Sequence, residues 1–402
     1  MAYRARNGAP LSRRVMRIVD ITERSVPISR YAAVAPAPGG LTTSIVALRT
    51  DVVRDGKAVV GYGFSSIGRF AQSGLIRERF AARLLAADEK QLVDDAGINF
   101  DPFRAWHVML RGEKPGGHGD RCVAVGTLDM AIWDAAAKIA GLPLHHFIAA
   151  RVGRARPNES VPVYAAGGYV YPHDDLRRLD EELRTFLQLG YTHAKIKIGA
   201  LPLSEDRRRI ETALGILGGG QRLAVDAMNA YDRSEAVQAA GQLARYHLWW
   251  FEDVCDPLDF ETQRAVTDFY DAPIAAGEAL FSVAEARLLD LHGGLRRDRD
   301  VLVFDPVHCY GIPGYLQIVE RFESSGWSRS SFWPHGGHVF SLHVAAALGL
   351  GGAEVNPLAF EPFGGLADGV VVHNGRVKPP DEPGVGFESK RDLWQLFKSL
   401  NA

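Results

Sequence analysis

Three acids, Asp226, Glu252 and Glu278, each close a short apolar run, in the segments LAVD, WWFE and AAGE. If the runs are strands set side by side, three carboxylates meet in one pocket, where like charges repel strongly. A hard divalent cation resolves that repulsion, and an oxygen-only donor set favours Mg²⁺ over zinc. A single strand-end acid is more often a helix cap or a rim salt bridge. Three at matching positions point to a metal site.

Lys195 and Lys197 stand two apart in AKIKIG, so strand alternation sends both side chains to one face and Ile196 and Ile198 to the other. Lysines pointing into an apolar core are costly unless they are used. Crowding by the cation and partial desolvation are expected to lower the lysine pKa, toward that of a general base near neutral pH. Read alone, the pair is two solvated lysines on an edge strand. Asp305 and His335 end two further runs, and an aspartate bonded to one imidazole nitrogen would make His335 an acid or base facing the lysines. His335 and His338, in PHGGH, also read as a zinc pair, but no cysteine lies nearby. Glu354, in GGAEVNP, can hydrogen-bond a substrate oxygen. Together these groups suit removal of a proton beside a carboxylate, with the enolate stabilised by the cation. A hydroxyl leaving from the next carbon would take its proton from His335, completing a dehydration.

These residues need elements that deliver them to one place. Lys197, Asp226, Glu252, Glu278, Asp305 and His335 follow one another at intervals of 29, 26, 26, 27 and 30 residues. Each interval holds an amphipathic segment, with expected helix starts at Ser204, Ser234 and the Ser282–Glu285 capping box. Strands alternating with helices mean a parallel sheet. A closed barrel is favoured over an open sheet because every strand brings an ionisable residue to its C-terminal end. No G-x-G-x-x-G follows a strand and no phosphate-binding G-x-x-x-x-G-K-[ST] occurs. Ahead of this region, Arg17 to Phe64 alternates like strands, with turns at Asp55-Gly56 and Pro36 to Gly40. Helical periodicity follows in LIRERFAARLL and in RCVAVGTLDMAIWDAAAKIAG, ending at Gly141. The polar stretch from Arg151 to Pro162 reads as a boundary between an α+β unit and the barrel.

The composition is that of a globular chain: 402 residues, 47% hydrophobic and 23% charged, with a formal net charge of -2. No basic field exists to attract nucleic acid, and no window reaches the roughly 20 apolar residues of a membrane span. Three dispersed cysteines, Cys122, Cys255 and Cys309, fit a reducing, cytoplasmic compartment rather than a disulfide framework. The first 15 residues read as a disordered leader, with Met16 an alternative start.

KIK at 195–197, VDAMN at 225–229, FED at 251–253 and GE at 277–278 resemble, in order and spacing, the base and metal motifs of the mandelate racemase group of the enolase superfamily. PHGGH and LGLGGAE resemble more narrowly its D-tartrate dehydratase-like branch, and EKPGGHGDR a segment near the dehydratase substrate. The resemblance implies a modified TIM barrel, (β/α)7β, over residues 156–365. It implies an α+β capping domain over 1–155, to which 366–402 return, and Mg²⁺ held by Asp226, Glu252 and Glu278. Lys197 would be the base, Lys195 its partner on the substrate carboxylate, and His335, paired with Asp305, the acid. Glu354, Asn229 and Lys114 would bind substrate, Lys114 at its distal end. The expected reaction is dehydration of a small hydroxy diacid or sugar acid. A racemase or epimerase using Lys197 and His335 on opposite faces is the alternative, and an inactive barrel serving as a binding protein a third. The loop Ser29 to Leu41, where the family closes over its substrate, is rich in Ala, Pro and Gly and leaves the choice of acid open. Barrels of this kind commonly associate, so a homo-oligomer is expected by analogy.

Overall fold

The computed structural model describes residues 16–31 and 34–400; the expected leader lies outside the described residues. Strands β1 (Ile18–Pro27), β2 (Thr42–Arg54) and β3 (Lys57–Phe64) form an antiparallel sheet in the order β1-β2-β3. The β2–β3 hairpin closes on Asp55 and Gly56, with φ of 48° and 73°, the positive values a tight two-residue turn needs. The helical pattern at 75–85 forms a helix whose first part, Leu75–Ala81, is wound as a π-helix before α1 (Ala82–Ala86). Then come α2 (Pro102–Leu110), α3 (Asp120–Ala140) and α4 (Leu144–Arg151). As the sequence predicts, α3 stops at Gly141, left-handed with φ 67°.

Helix α3 lies against β3 because Gly61 has no side chain: a Cβ there would meet the Ala131 carbonyl oxygen at 1.9 Å. At Gly126, on the same helix, a Cβ would meet the Val307 oxygen at 1.8 Å. That second contact seats the helix on the loop carrying Asp305.

The parallel part follows the predicted alternation: β4 (Val161–Gly167), α5 (Asp175–Gln188), β5 (Ala194–Lys197), α6 (Leu203–Leu217), β6 (Leu223–Asp226), α7 (Arg233–Leu243), β7 (Trp250–Glu252), α8 (Phe260–Thr267), β8 (Ile274–Ala276), α9 (Val283–His292), β9 (Val301–Leu302), α10 (Ile312–Ser324), α11 (Val339–Leu348) and β10 (Ala353–Val355). Hydrogen bonding runs β10-β4-β5-β6-β7-β8-β9. Residues 332–335 close the ring. Trp333 N–H donates to Leu302 O at 2.9 Å and His335 N–H to Val303 O at 3.3 Å, while Glu354 N–H donates to Pro334 O at 3.3 Å. Pro334 has no N–H to give, which interrupts this stave as a regular strand. Eight staves and seven intervening helices make a (β/α)7β barrel.

Two helix starts differ from the sequence reading. Helix α6 begins earlier than Ser204, because the Pro202 carbonyl already accepts from Glu205 and Asp206 N–H at 2.8 and 3.1 Å. Helix α7 is capped by Asp232, not Ser234: Asp232 Oδ1 accepts from Glu235 N–H at 2.8 Å and Glu235 returns the bond at 3.0 Å. Ser282 does cap α9, accepting from Glu285 N–H at 3.2 Å.

A core of its own fills the ring: Tyr164, Ala166, Ala224, Trp250, Ala275, Val301 and Val303, with Trp249 and Trp333 against it. This floor lies toward the N-terminal strand ends, leaving the C-terminal ends for polar groups. After β10, β11 (Arg376–Val377) pairs with β4. Helix α12 (Arg391–Lys398) packs on the antiparallel sheet, Tyr62 lying 5.3 Å from the Trp394 ring and 4.9 Å from Phe397. No helix among the described residues is long and apolar enough to cross a membrane. All three cysteines are buried and unpaired.

Candidate active site

Register brings the predicted residues together. Lys197 on β5 pairs with Asp226 on β6, and Asp226 with Glu252 on β7. Glu278 follows β8 through Gly277. Ligand oxygens of Asp226, Glu252 and Glu278 lie within 4.8 Å of one another. Two of these acids are oriented by donors on one oxygen each. Asp226 Oδ1 accepts from the Met228 N–H at 2.7 Å, and Glu252 Oε2 from the Trp250 indole at 2.7 Å. The other oxygens face the lysines: Asp226 Oδ2 pairs with Lys197, and Glu252 Oε1 with Lys195. Lys195 also reaches Glu354 Oε2 at 2.8 Å and Asp226 Oδ2 at 3.7 Å. The ammonium groups thus hold one oxygen each of Asp226 and Glu252, and the oxygen-only donor set of the three acids fits a hard divalent ion.

Pairing with the carboxylates raises both lysine pKa values, against the lowering that a neighbouring cation is expected to bring. Burial disfavours the charge on Lys197, but the Asp226 carboxylate outweighs it and raises the pKa. Lys195 is raised likewise, burial being outweighed by Glu252 and Glu354. Burial pushes Glu252 up to about 7, while Glu354, although buried, is driven below the usual carboxylate range by Lys195 and His335. Glu354 is further fixed by the Tyr164 hydroxyl at 2.9 Å and the Asn356 amide at 3.2 Å.

Across the ring, His335 Nδ1 donates to Asp305 Oδ2 at 2.8 Å. The same oxygen accepts from the Ser66 hydroxyl at 2.6 Å, and Ser66 Oγ lies 3.0 Å from His338 Nε2. Asp305 Oδ1 takes the Val307 and His308 N–H groups at 2.7 and 3.3 Å. Burial opposes charge on both partners. Even so, His308 and the His335 bond hold Asp305 below its usual range, and Glu278 and Asp305 raise His335 to about 9. His335 Nε2 lies 3.5 Å from Glu278 Oε1. His338 is no partner in a zinc pair, since it caps α11 with Nδ1 and turns Nε2 to Ser66.

Lys197, Asn229, Glu278, His335 and Glu354 line one cavity of about 200 Å³. Asn229 donates its amide to Cys255 O at 2.8 Å. Lys114 is not brought there; it borders a separate cavity with Trp106, His118, Arg121 and Tyr310. Instead, Arg30 and Arg69 face the site from the loops of the antiparallel sheet. Arg30 belongs to the loop that the sequence shows as poor in polar groups, and it lies 5.5 Å over the Tyr169 ring. Asp253 also lines the cavity. Burial and the neighbouring Glu278 raise its pKa well above normal.

The chain has known relatives. A family profile described as "Enolase C-terminal domain-like" matches residues 178–393, more than half of the chain. The chain belongs to this family. Among its relatives, arabinonate dehydratase of Saccharolobus solfataricus is 24% identical over 347 residues, 84% of this chain and 87% of that protein. L-talarate/galactarate dehydratase of Salmonella typhimurium is 26% identical over 373 residues, 90% and 85% of the two chains. A solved structure of L-talarate dehydratase from Polaromonas sp. JS666, complexed with Mg and L-glucarate, matches with a TM-score of 0.68 at 26% identity. The match spans 92% of this chain and 94% of that one. The enolase-family assignment agrees with the superfamily resemblance carried by the KIK, VDAMN, FED and GE motifs.

Proposed function

We propose that this protein is a Mg²⁺-dependent dehydratase of a small hydroxy diacid or sugar acid. The observation that carries the reading is one cavity faced by Lys197 from one side and by the His335–Asp305 pair from the other, beside three convergent carboxylates. Asp226, Glu252 and Glu278 would hold the cation, which supplies positive charge to the substrate carboxylate as its oxygens take up the electron pair of the broken C–H bond.

Lys197 removes the α-proton. To act as a base it must first give up its own proton, so Asp226 has to be engaged elsewhere than on the ammonium. Lys195, locked between Glu252 and Glu354, keeps a fixed positive charge facing the same carboxylate. His335, held by Asp305 with Nε2 turned inward, gives its proton to the departing β-hydroxyl, so that water leaves. The enol product then tautomerises to a 2-keto acid. Arg30 and Arg69 suit a second carboxylate at the far end of the substrate, the part expected of Lys114. Glu354 and Asn229 take hydroxyl or carboxylate oxygens nearer the reacting carbon. In this reading residues 1–155 and 366–402 cap the barrel of 156–365.

Incubation with Mg²⁺ and a panel of aldaric and aldonic acids, galactarate, L-talarate, arabinonate and D-tartrate included, should yield a keto acid. No product across the panel would overturn the reading. Lys197→Ala should lower turnover by about 10²- to 10⁴-fold, the usual worth of a positioned base. Because Lys197 and His335 both face the cavity, racemisation is the second reading. Solvent deuterium entering the α-position without keto acid would select it.

A further inference from the structure

One buried side chain gives no atom to substrate or proton in this chemistry. His308 is fully buried, yet neither ring nitrogen has a hydrogen-bond partner. An imidazole stripped of water on both nitrogens is costly, and such orphans point to an occupant. Its Nδ1 lies 3.7 Å from Asp305 Oδ2, which is itself 2.8 Å from His335 Nδ1. One ligand atom from each of Asp305, His308 and His335 can be chosen so that all lie within 4.8 Å of one another. The sequence hides this triangle because His338, adjacent to His335, seems the natural partner. The turn that donates Cys309 N–H to Asp305 O at 3.0 Å brings His308 back beside Asp305 instead.

We propose that Asp305, His308 and His335 form a second cation site, selective for a divalent transition ion of the Zn²⁺ class, and that its occupation silences the enzyme. Two imidazoles and one carboxylate are a borderline-soft donor set, unlike the all-oxygen set of Asp226, Glu252 and Glu278, so the two sites sort ions by chemistry. An ion in the triangle replaces the proton shared by Asp305 and His335. His335 is then tied as a ligand and no longer exchanges a proton with the cavity it lines. The silencing half rests on the dehydratase reading; the binding half does not.

The test uses the full chain saturated with Mg²⁺ and titrated with Co²⁺, then with Zn²⁺ as competitor. One Co²⁺ per chain is expected, with the visible absorption of imidazole ligation, displaced by Zn²⁺. His308→Leu and His308→Gln should each weaken that binding by roughly 100-fold or more while Mg²⁺ binding persists. X-ray absorption on the wild-type cobalt protein should count two imidazoles, a result that needs no variant. Where turnover is found, Zn²⁺ should abolish it in the wild type and spare the His308 variants. The site is refuted by Co²⁺ that binds only by displacing Mg²⁺, by a bound ion without imidazoles, or by binding that both variants retain. Absence of turnover with intact Co²⁺ binding would instead count against the dehydratase.

Discussion

The lysine contacts make a quantitative statement about metal affinity. Lys197 pairs in the buried site with Asp226 Oδ2, the oxygen left free by the Met228 N–H. Replacing it by methionine keeps most of the volume and removes the charge, leaving Asp226 Oδ2 only the more distant Lys195 ammonium at 3.7 Å. Breaking one side of a buried pair costs about 3–5 kcal/mol, and two unit charges about 4 Å apart at an effective dielectric near 20 attract by about 4 kcal/mol. The metal-free Lys197→Met protein should therefore unfold with about 3–5 kcal/mol less free energy than the wild type. Once a cation occupies the carboxylates, the Asp226 charge is matched again at close range and most of that deficit disappears. Mg²⁺ must then bind the variant roughly two to nearly four powers of ten more tightly, since each 1.4 kcal/mol is tenfold. Urea unfolding in EDTA and at several Mg²⁺ concentrations, with calorimetric titration for Kd, gives both numbers. Equal stabilisation of both proteins by Mg²⁺ would refute the idea that Lys197 and the cation share one oxygen.

Other outcomes follow from features away from the carboxylates. His343 Nε2 donates to Val385 O at 3.0 Å, and its Nδ1 accepts the His145 backbone N–H at 3.2 Å. Burial lowers His145 to about 4 and His343 to about 3. With histidine near 6.5 in the unfolded chain, the unfolded state takes up protons first, so stability present above pH 7 is lost as pH falls through 6.5 toward 4. Between pH 7 and 5 the pair should remove about 4 kcal/mol, and the His145→Gln/His343→Gln protein should show a profile flatter by that amount; parallel profiles would disprove it. Lys114→Ala should leave KM within about twofold, because Lys114 borders the other cavity; a tenfold rise would return it to the substrate. Gly61→Ala should destabilise the fold by at least about 1–3 kcal/mol, the range for overpacking, read as a lower urea midpoint.

The barrel was legible because its strands are short apolar runs at nearly constant intervals, and six ionisable run ends share one mouth. What stayed hidden came from breaks in local regularity. Asp253 should point away from the cavity by strand alternation after Glu252, but its φ of 48° ends the alternation and turns it inward. Ser66, Arg30 and Arg69 come from another part of the chain, and no periodicity connects them to the ring. The upward pull of the carboxylates on the lysines was hidden for a related reason. Spacing shows that carboxylates and lysines share a pocket, but not that each ammonium pairs with an oxygen of Asp226 or Glu252.

The clamps on Asp226 and Glu252 also bear on which hard cation the protein accepts. With one oxygen of Asp226 held by a backbone N–H and one of Glu252 by the Trp250 indole, both carboxylates are fixed in orientation, which favours one-oxygen contact with a cation. Calcium gathers six to eight oxygens and often grips carboxylates through both, whereas magnesium is content with fewer protein donors at shorter range and fills the rest of its octahedron with water or substrate. If Asp226 and Glu252 hold the cation, these two hydrogen bonds would favour the smaller ion without touching it.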